Sequence, residues 1–217
     1  MKNKAIIFDL DGVIVNTAKY HFIAWKKIAD ELGIPFTQKE NELLKGVSRV
    51  KSLDIILALD NRQLDEAKKN SLLTQKNNYY LSLIAQLKPD DMLPGIRELL
   101  TDLKRENIPF ALGSASKNAR KILSALQIEE LFTAIVDGND VSKAKPDPEV
   151  FLSASKKMDV APENCIVIED AQAGIEAAKN AGMYSIGIGD KQVLSQADLV
   201  LPDTGKLTMK TIRNVFP

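Results

Sequence analysis

The chain contains one cysteine, one histidine, no excess of charge of either sign, and no apolar run approaching the length of a membrane span. A single Cys165 closes no internal disulfide, and its place in Cys165-Ile166-Val167-Ile168 marks a packed thiol rather than a reactive one. A chain without disulfides is expected in a reducing, cytoplasmic setting. Lys+Arg and Asp+Glu both total 29 in 217 residues, so no global field recruits nucleic acid or an anionic membrane. Any affinity for phosphate must therefore be local. No stretch comes near the roughly 20 apolar residues that cross a bilayer. The N-terminal run is too short, and too acidic at its end, for a signal peptide. Repeats and low-complexity segments are absent as well, which excludes a solenoid or a long disordered tail. What is present is 45% hydrophobic residues, enough for one large core with a modest insertion.

The most informative segment is Ala5-Ile6-Ile7-Phe8 running into Asp9-Leu10-Asp11-Gly12. A continuous apolar run of this kind fits a parallel strand covered on both faces, with Gly12 turning the chain at its exit. After it, Phe22, Trp25, Ile28, Ala29 and Leu32 recur at helical spacing, and Gly33-Ile34-Pro35 ends that helix. Further helical patterns follow, including Val50 to Leu59 and Leu64 to Leu87, with no strand among them. From Met92 onward helices alternate with the short runs Phe110-Ala111-Leu112, Ala134-Ile135-Val136, Ile166-Val167-Ile168 and Ser185-Ile186-Gly187-Ile188. The pattern predicts an α/β protein. Its Rossmann-like parallel core is formed by residues 1–15 and 92–217, and an all-helical cap over residues 16–91 is inserted after the first strand, placed to act as a lid.

Four segments at predicted strand exits carry complementary chemistry. Strand alternation lets Asp9 and Asp11 point to one side and share a divalent cation at the carboxyl edge of the sheet, where open α/β folds place ligands. Gly113-Ser114-Ala115-Ser116-Lys117-Asn118 follows the second strand and opens a helix. Its backbone N–H groups, the Ser114 and Ser116 hydroxyls and the Asn118 amide make a compact oxyanion cradle, with simple helix capping by Ser116 or Asn118 as the alternative. Lys145, stiffened by Pro146, supplies a fixed cation against phosphate charge. Glu169 and Asp170, ending another strand, complete a set of hard oxygen ligands suited to Mg²⁺. Together these supply nucleophile, cradle, cation and metal acids, the parts of a phosphoryl-transfer site.

These four segments resemble the motifs of the haloacid dehalogenase superfamily, and the likeness spans nearly the whole chain. The resemblance implies that Asp9 attacks phosphorus and becomes an aspartyl phosphate, and that Asp11 acts as general acid and base. It further implies that Ser114 and Lys145 bind the transferring phosphoryl group, while Glu169 and Asp170 hold magnesium with Asp9 and Asp11.

The insertion carries a second set of matches, Thr17-Ala18 with Tyr20-His21 and Ala24-Trp25, and then Leu44-Lys45-Gly46-Val47-Ser48-Arg49. These resemble the β-phosphoglucomutase family. The implied reaction interconverts β-D-glucose 1-phosphate and D-glucose 6-phosphate through β-D-glucose 1,6-bisphosphate. A mutase must hold two phosphates, and the planar fork of Arg49 suits the one that is not transferred, with Ser116, Lys117 and Asn118 closing the same pocket beside Ala115. The resemblance assigns Gly46, Val47 and Ser48 to the same substrate-binding turn. It makes Thr17 and His21 catalytic-site residues, His21 as a positioning group, and puts Trp25 and Lys76 beside the sugar. Asn16 stands where many relatives carry Asp, which implies an altered hinge. A sugar-phosphate phosphatase is the main alternative, since the same four motifs hydrolyse esters when water reaches the aspartyl phosphate, and a non-catalytic phosphosugar-binding protein is the other. The partner is a small phosphosugar, with no nucleic acid or membrane, and the expected state is a monomer.

Overall fold

The computed structural model describes residues 3–44 and 47–216. Six parallel strands form one sheet in the order β3-β2-β1-β4-β5-β6. They are β1 (Ala5–Phe8), β2 (Phe110–Gly113), β3 (Ala134–Val136), β4 (Cys165–Glu169), β5 (Tyr184–Ile188) and β6 (Leu199–Leu201). The first four are buried along their whole length, as the unbroken apolar runs require. Side chains alternate across the sheet. Ala5 and Ile7 join a cluster with Phe151, Ala154, Ala177 and Ala178, whereas Phe8 meets Phe110 and Phe132 edge-on at centroid distances of 6.1 and 6.4 Å. Each large side chain so buried contributes about 1.5–3 kcal/mol.

Strand order reverses at β1, so the carboxyl ends of β1, β2 and β4 surround the point where open α/β sheets bind ligands. Register fixes what arrives there. Phe8 pairs with Leu112 on one side and Ile168 on the other, so the next residues along the three strands are Asp9, Gly113 and Glu169.

Two compact units divide the chain, Met1–Asn16 with Lys88–Pro217, and Thr17–Leu87. The sequence reading puts the second junction at residue 92. In the structure the 3₁₀ turn Pro89–Asp91 belongs with the sheet unit, where Met92 bridges to Val15 and the Leu93 N–H donates to the Ile14 carbonyl at 2.9 Å. The sheet unit carries α5 (Ile96–Arg105), α6 (Ala119–Ala125), α7 (Glu149–Met158), α8 (Gln172–Asn180) and α9 (Met209–Val215). Strand β6 was not foreseen, because a three-residue edge strand that is half-buried carries no long apolar run.

The helical unit contains α1 (Ala18–Leu32), α2 (Gln38–Glu42), α3 (Arg49–Ala58) and α4 (Glu66–Ile84). Its boundaries follow from local chemistry. Gly33 closes α1 in the left-handed conformation, a Thr37–Glu40 capping box opens α2, and the Ser48 and Asp65 side chains accept N–H bonds at the starts of α3 and α4. Trp25, Ile28, Phe36, Leu53, Ile56 and Leu72 form its separate core. Among the described residues no helix is long and apolar enough to cross a membrane.

Candidate active site

At the carboxyl edge of the sheet, the Lys145 ammonium lies 2.6 Å from Asp9 Oδ1 and 2.6 Å from Glu169 Oε1. All three side chains are buried. The Lys145 ammonium also stands over the Phe151 ring, 4.7 Å from its centroid. Asp170 completes the cluster, since Asp9, Glu169 and Asp170 each offer an oxygen within 4.8 Å of the others. Three acids against one lysine leave negative charge in excess. Burial, opposed by Lys145 and reinforced by Glu169, raises Asp9 to about 6. Burial and then the Glu169, Asp9 and Asp11 charges raise Asp170 to about 8. Burial pulls Lys145 down, but Asp9 and Glu169 together outweigh it and hold the ammonium charged.

A set of hard carboxylate oxygens carrying uncompensated charge fits a small divalent cation such as Mg²⁺. Asp11 stands near enough for its charge to act on Asp170. Strand geometry stops at Phe8, and the chain then turns, with the Gly12 N–H donating to the Val15 carbonyl at 3.0 Å. The Asp9 N–H still donates to the Ile168 carbonyl at 2.9 Å, so the β1–β4 ladder carries Asp9 to the row of Glu169 before the chain turns. Gly12 itself is demanded by close approach, because it has φ +75° and a Cβ there would lie 2.0 Å from Asp170 Oδ2.

Beside the acids, the loop from Ser114 to Asn118 is organised by its own hydroxyls. Ser114 Oγ accepts the Ser116 N–H at 3.1 Å, and Ser116 Oγ accepts the Asn118 N–H at 3.3 Å. Asn118 makes no side-chain capping bond to α6. Ser114 is buried, and its N–H donates to the Val136 carbonyl at 3.0 Å.

The helical unit holds the second group of foreseen residues. Lys76 Nζ is 2.9 Å from His21 Nδ1 and stands over the Trp25 and Tyr80 rings at 4.9 and 4.6 Å from their centroids. Nδ1 therefore accepts from the ammonium. Burial, together with the positive charges of Lys76 and Arg49, lowers the His21 pKa well below 6.5 and keeps the ring neutral. Arg49 begins α3 half-buried, after the Ser48 cap, and Val47 packs on the unit's core. Thr17 is buried at the start of α1, where its carbonyl accepts the Tyr20 and His21 N–H groups at 2.9 and 3.0 Å. Gly46 lies outside the described residues. Tyr80 and Phe151 were missed. Tyr80 follows Lys76 by four residues, as Trp25 follows His21, so helical spacing was the available signal for it.

The neutral state of His21 has a measurable consequence. Below pH 6.5 the unfolded chain binds a proton at His21 that the folded chain refuses, so stability falls as pH drops, by up to about 1.4 kcal/mol per pH unit. Urea midpoints taken at about pH 7.5 and 5.5 for the natural chain and His21→Gln are expected to show a smaller acid loss in the variant. Equal losses would show that His21 does not titrate in this way.

A family model for haloacid dehalogenase-like hydrolases matches residues 6–188, and the chain belongs to that family. Its relatives narrow the membership further, to the β-phosphoglucomutases. The β-phosphoglucomutase of Bacillus subtilis strain 168 is 50% identical over 211 residues, covering 96% of this chain and 93% of that one. The crystal structure of β-phosphoglucomutase from Clostridium difficile superposes with a TM-score of 0.94 at 46% identity, covering 98% and 96% of the two chains. More distant is a phosphorylated carbohydrates phosphatase of Thermotoga maritima, 32% identical over 91% of this chain and 92% of its own.

Proposed function

We propose that the protein interconverts β-D-glucose 1-phosphate and D-glucose 6-phosphate through β-D-glucose 1,6-bisphosphate, with Asp9 as the phosphoryl carrier. The observation that carries this reading is the buried Asp9–Lys145–Glu169 contact at the sheet edge, in a chain that is 50% identical to a β-phosphoglucomutase over nearly its whole length.

Phosphorylated Asp9 gives its phosphoryl group to the 6-hydroxyl of the sugar 1-phosphate, whose proton passes to the Asp11 carboxylate. The bisphosphate then presents its other end. An Asp9 oxygen attacks the phosphorus on C1, the bond from phosphorus to the C1 oxygen breaks, and Asp11 returns the proton to that oxygen. Lys145 and Ser114 stabilise charge on the oxygens of the moving group. Arg49, with Ser116, Lys117 and Asn118, grips the phosphate that is not moving, while His21, Trp25 and Lys76 position the sugar.

Asp9, Glu169 and Asp170 would hold Mg²⁺, which when bound supplies positive charge against the phosphoryl oxygens. The substrate is a small phosphosugar, and the enzyme works as a cytoplasmic monomer. Balanced charge and a single buried thiol support that setting.

The test is to incubate the protein with Mg²⁺, β-D-glucose 1-phosphate and a trace of the 1,6-bisphosphate, following glucose 6-phosphate and inorganic phosphate together, with the α-anomer as control. Stoichiometric glucose 6-phosphate from the β-anomer with little free phosphate is expected. Free phosphate without isomerised sugar would replace the mutase reading with that of a phosphatase.

A further inference from the structure

Beyond the motifs already named, one element touches the Ser114–Asn118 loop along its length. It is the tight turn Asp137–Asp140 that follows β3. The Gly138 N–H donates to the Ser116 carbonyl at 3.3 Å, and Asn139 Nδ2 donates to the Lys117 carbonyl at 3.1 Å. Gly138 also packs so closely that a Cβ there would lie 2.3 Å from the Ala115 carbonyl oxygen. Three consecutive carbonyls of the loop are thus met by two residues of the turn.

The turn is itself held firmly. Asp137 Oδ1 accepts the Asn139 N–H at 2.8 Å, and Asp140 Oδ2 accepts the Asp137 N–H at 2.9 Å. Arg120, on the helix that follows the loop, donates to the Ile135 carbonyl at 3.3 Å and places Nε 3.7 Å from the buried Asp137 carboxylate. Lys157 donates to the same Ile135 carbonyl at 3.2 Å.

Peptide geometry converts these contacts into function. In a trans peptide the C=O of one residue and the N–H of the next point in opposite directions. Tying the Ser116 carbonyl to Gly138 therefore turns the Lys117 N–H away from the turn. Tying the Lys117 carbonyl to Asn139 turns the Asn118 N–H toward Ser116 Oγ, which accepts it at 3.3 Å. With one lone pair of Oγ committed to that N–H, the Ser116 hydroxyl still has its proton to donate. We infer that Gly138 and Asn139 are positioning residues, which aim the Lys117 N–H and the Ser116 hydroxyl at the phosphate that is not transferred. This rests on the mutase reading, in which Ser116, Lys117 and Asn118 anchor that phosphate.

Two substrates separate this role from a purely structural one. β-D-glucose 1-phosphate needs both the transfer site and the anchor. Acetyl phosphate offers a single phosphoryl group to Asp9 and needs no anchor. For Asn139→Ala, the KM for the sugar phosphate is expected to rise about ten-fold, while acetyl phosphate turnover stays within about two-fold of the natural enzyme. Gly138→Ala is expected to show the same split with a larger rise, and Asn139→Ala keeps the test decisive should the bulkier variant fail to fold. An equal loss with both substrates, or no change in KM, would overturn the proposal. Absence of sugar isomerisation by the natural chain would instead reject the mutase reading itself.

Discussion

Asp9→Asn is expected to lower phosphosugar turnover by about 10⁴-fold or more while leaving the fold intact. An amide oxygen retains the shape of the carboxylate and still accepts from Lys145, 2.6 Å away, but it lacks the electron density to attack phosphorus. Stability is expected to hold or to rise slightly. The natural carboxylate is buried and crowded by Glu169, which is why its pKa stands near 6, and a neutral amide relieves that crowding while Lys145 keeps Glu169 as its partner. Two measurements check this: initial rates of glucose 6-phosphate formation and a thermal melt. Intact-mass analysis after exposure to acetyl phosphate adds a third, with a phosphoryl adduct expected on the natural chain and none on the variant. Turnover above about one per cent of the natural rate would remove Asp9 from the role of nucleophile.

Local chemistry made much of this site legible beforehand. The Ala5–Phe8 and Cys165–Glu169 strands announce themselves as unbroken apolar runs ending in acids, and parallel register then carries Asp9 and Glu169 to the same row without any further information. Gly33 and Ser48 mark helix ends by their conformational and capping preferences. Harder to read were features that depend on where a strand stops or on what lies far away in the chain. Asp11 lies three residues past Phe8, the last residue of β1, so the turn at Gly12 and not strand alternation sets its direction. Phe151 sits six residues after Lys145 on a helix whose apolar stripe looks like ordinary core, and its place beneath the ammonium appears only in three dimensions. Tyr80 reads as a polar-face aromatic on a weakly amphipathic helix, yet it is fully buried against His21, with ring centroids 4.2 Å apart. The Asp137–Asp140 turn has the composition of any solvated loop, and nothing in its spacing points to residues 114–118.

Lys145→Met separates the charge of this side chain from its bulk. Methionine is close to lysine in length and apolar, so the change removes chiefly the ammonium that bridges Asp9 and Glu169. Glucose 6-phosphate formation at saturating substrate is expected to fall about 10²–10³-fold, the cost of losing a preorganised group against phosphoryl charge. Folding stability is expected to fall as well, by about 3 kcal/mol, because two buried carboxylates lose the partner that compensated them. Lys145→Arg is not expected to restore either property. A compact ammonium fits between two oxygens each 2.6 Å away in a buried pocket, whereas a planar guanidinium needs a wider, forked approach. Urea unfolding in parallel with the kinetic assay distinguishes the two contributions. A methionine variant that loses stability but keeps its turnover would make Lys145 a strut for the acids. One that loses turnover far beyond its unfolded fraction would establish that the cation acts on the phosphoryl group itself.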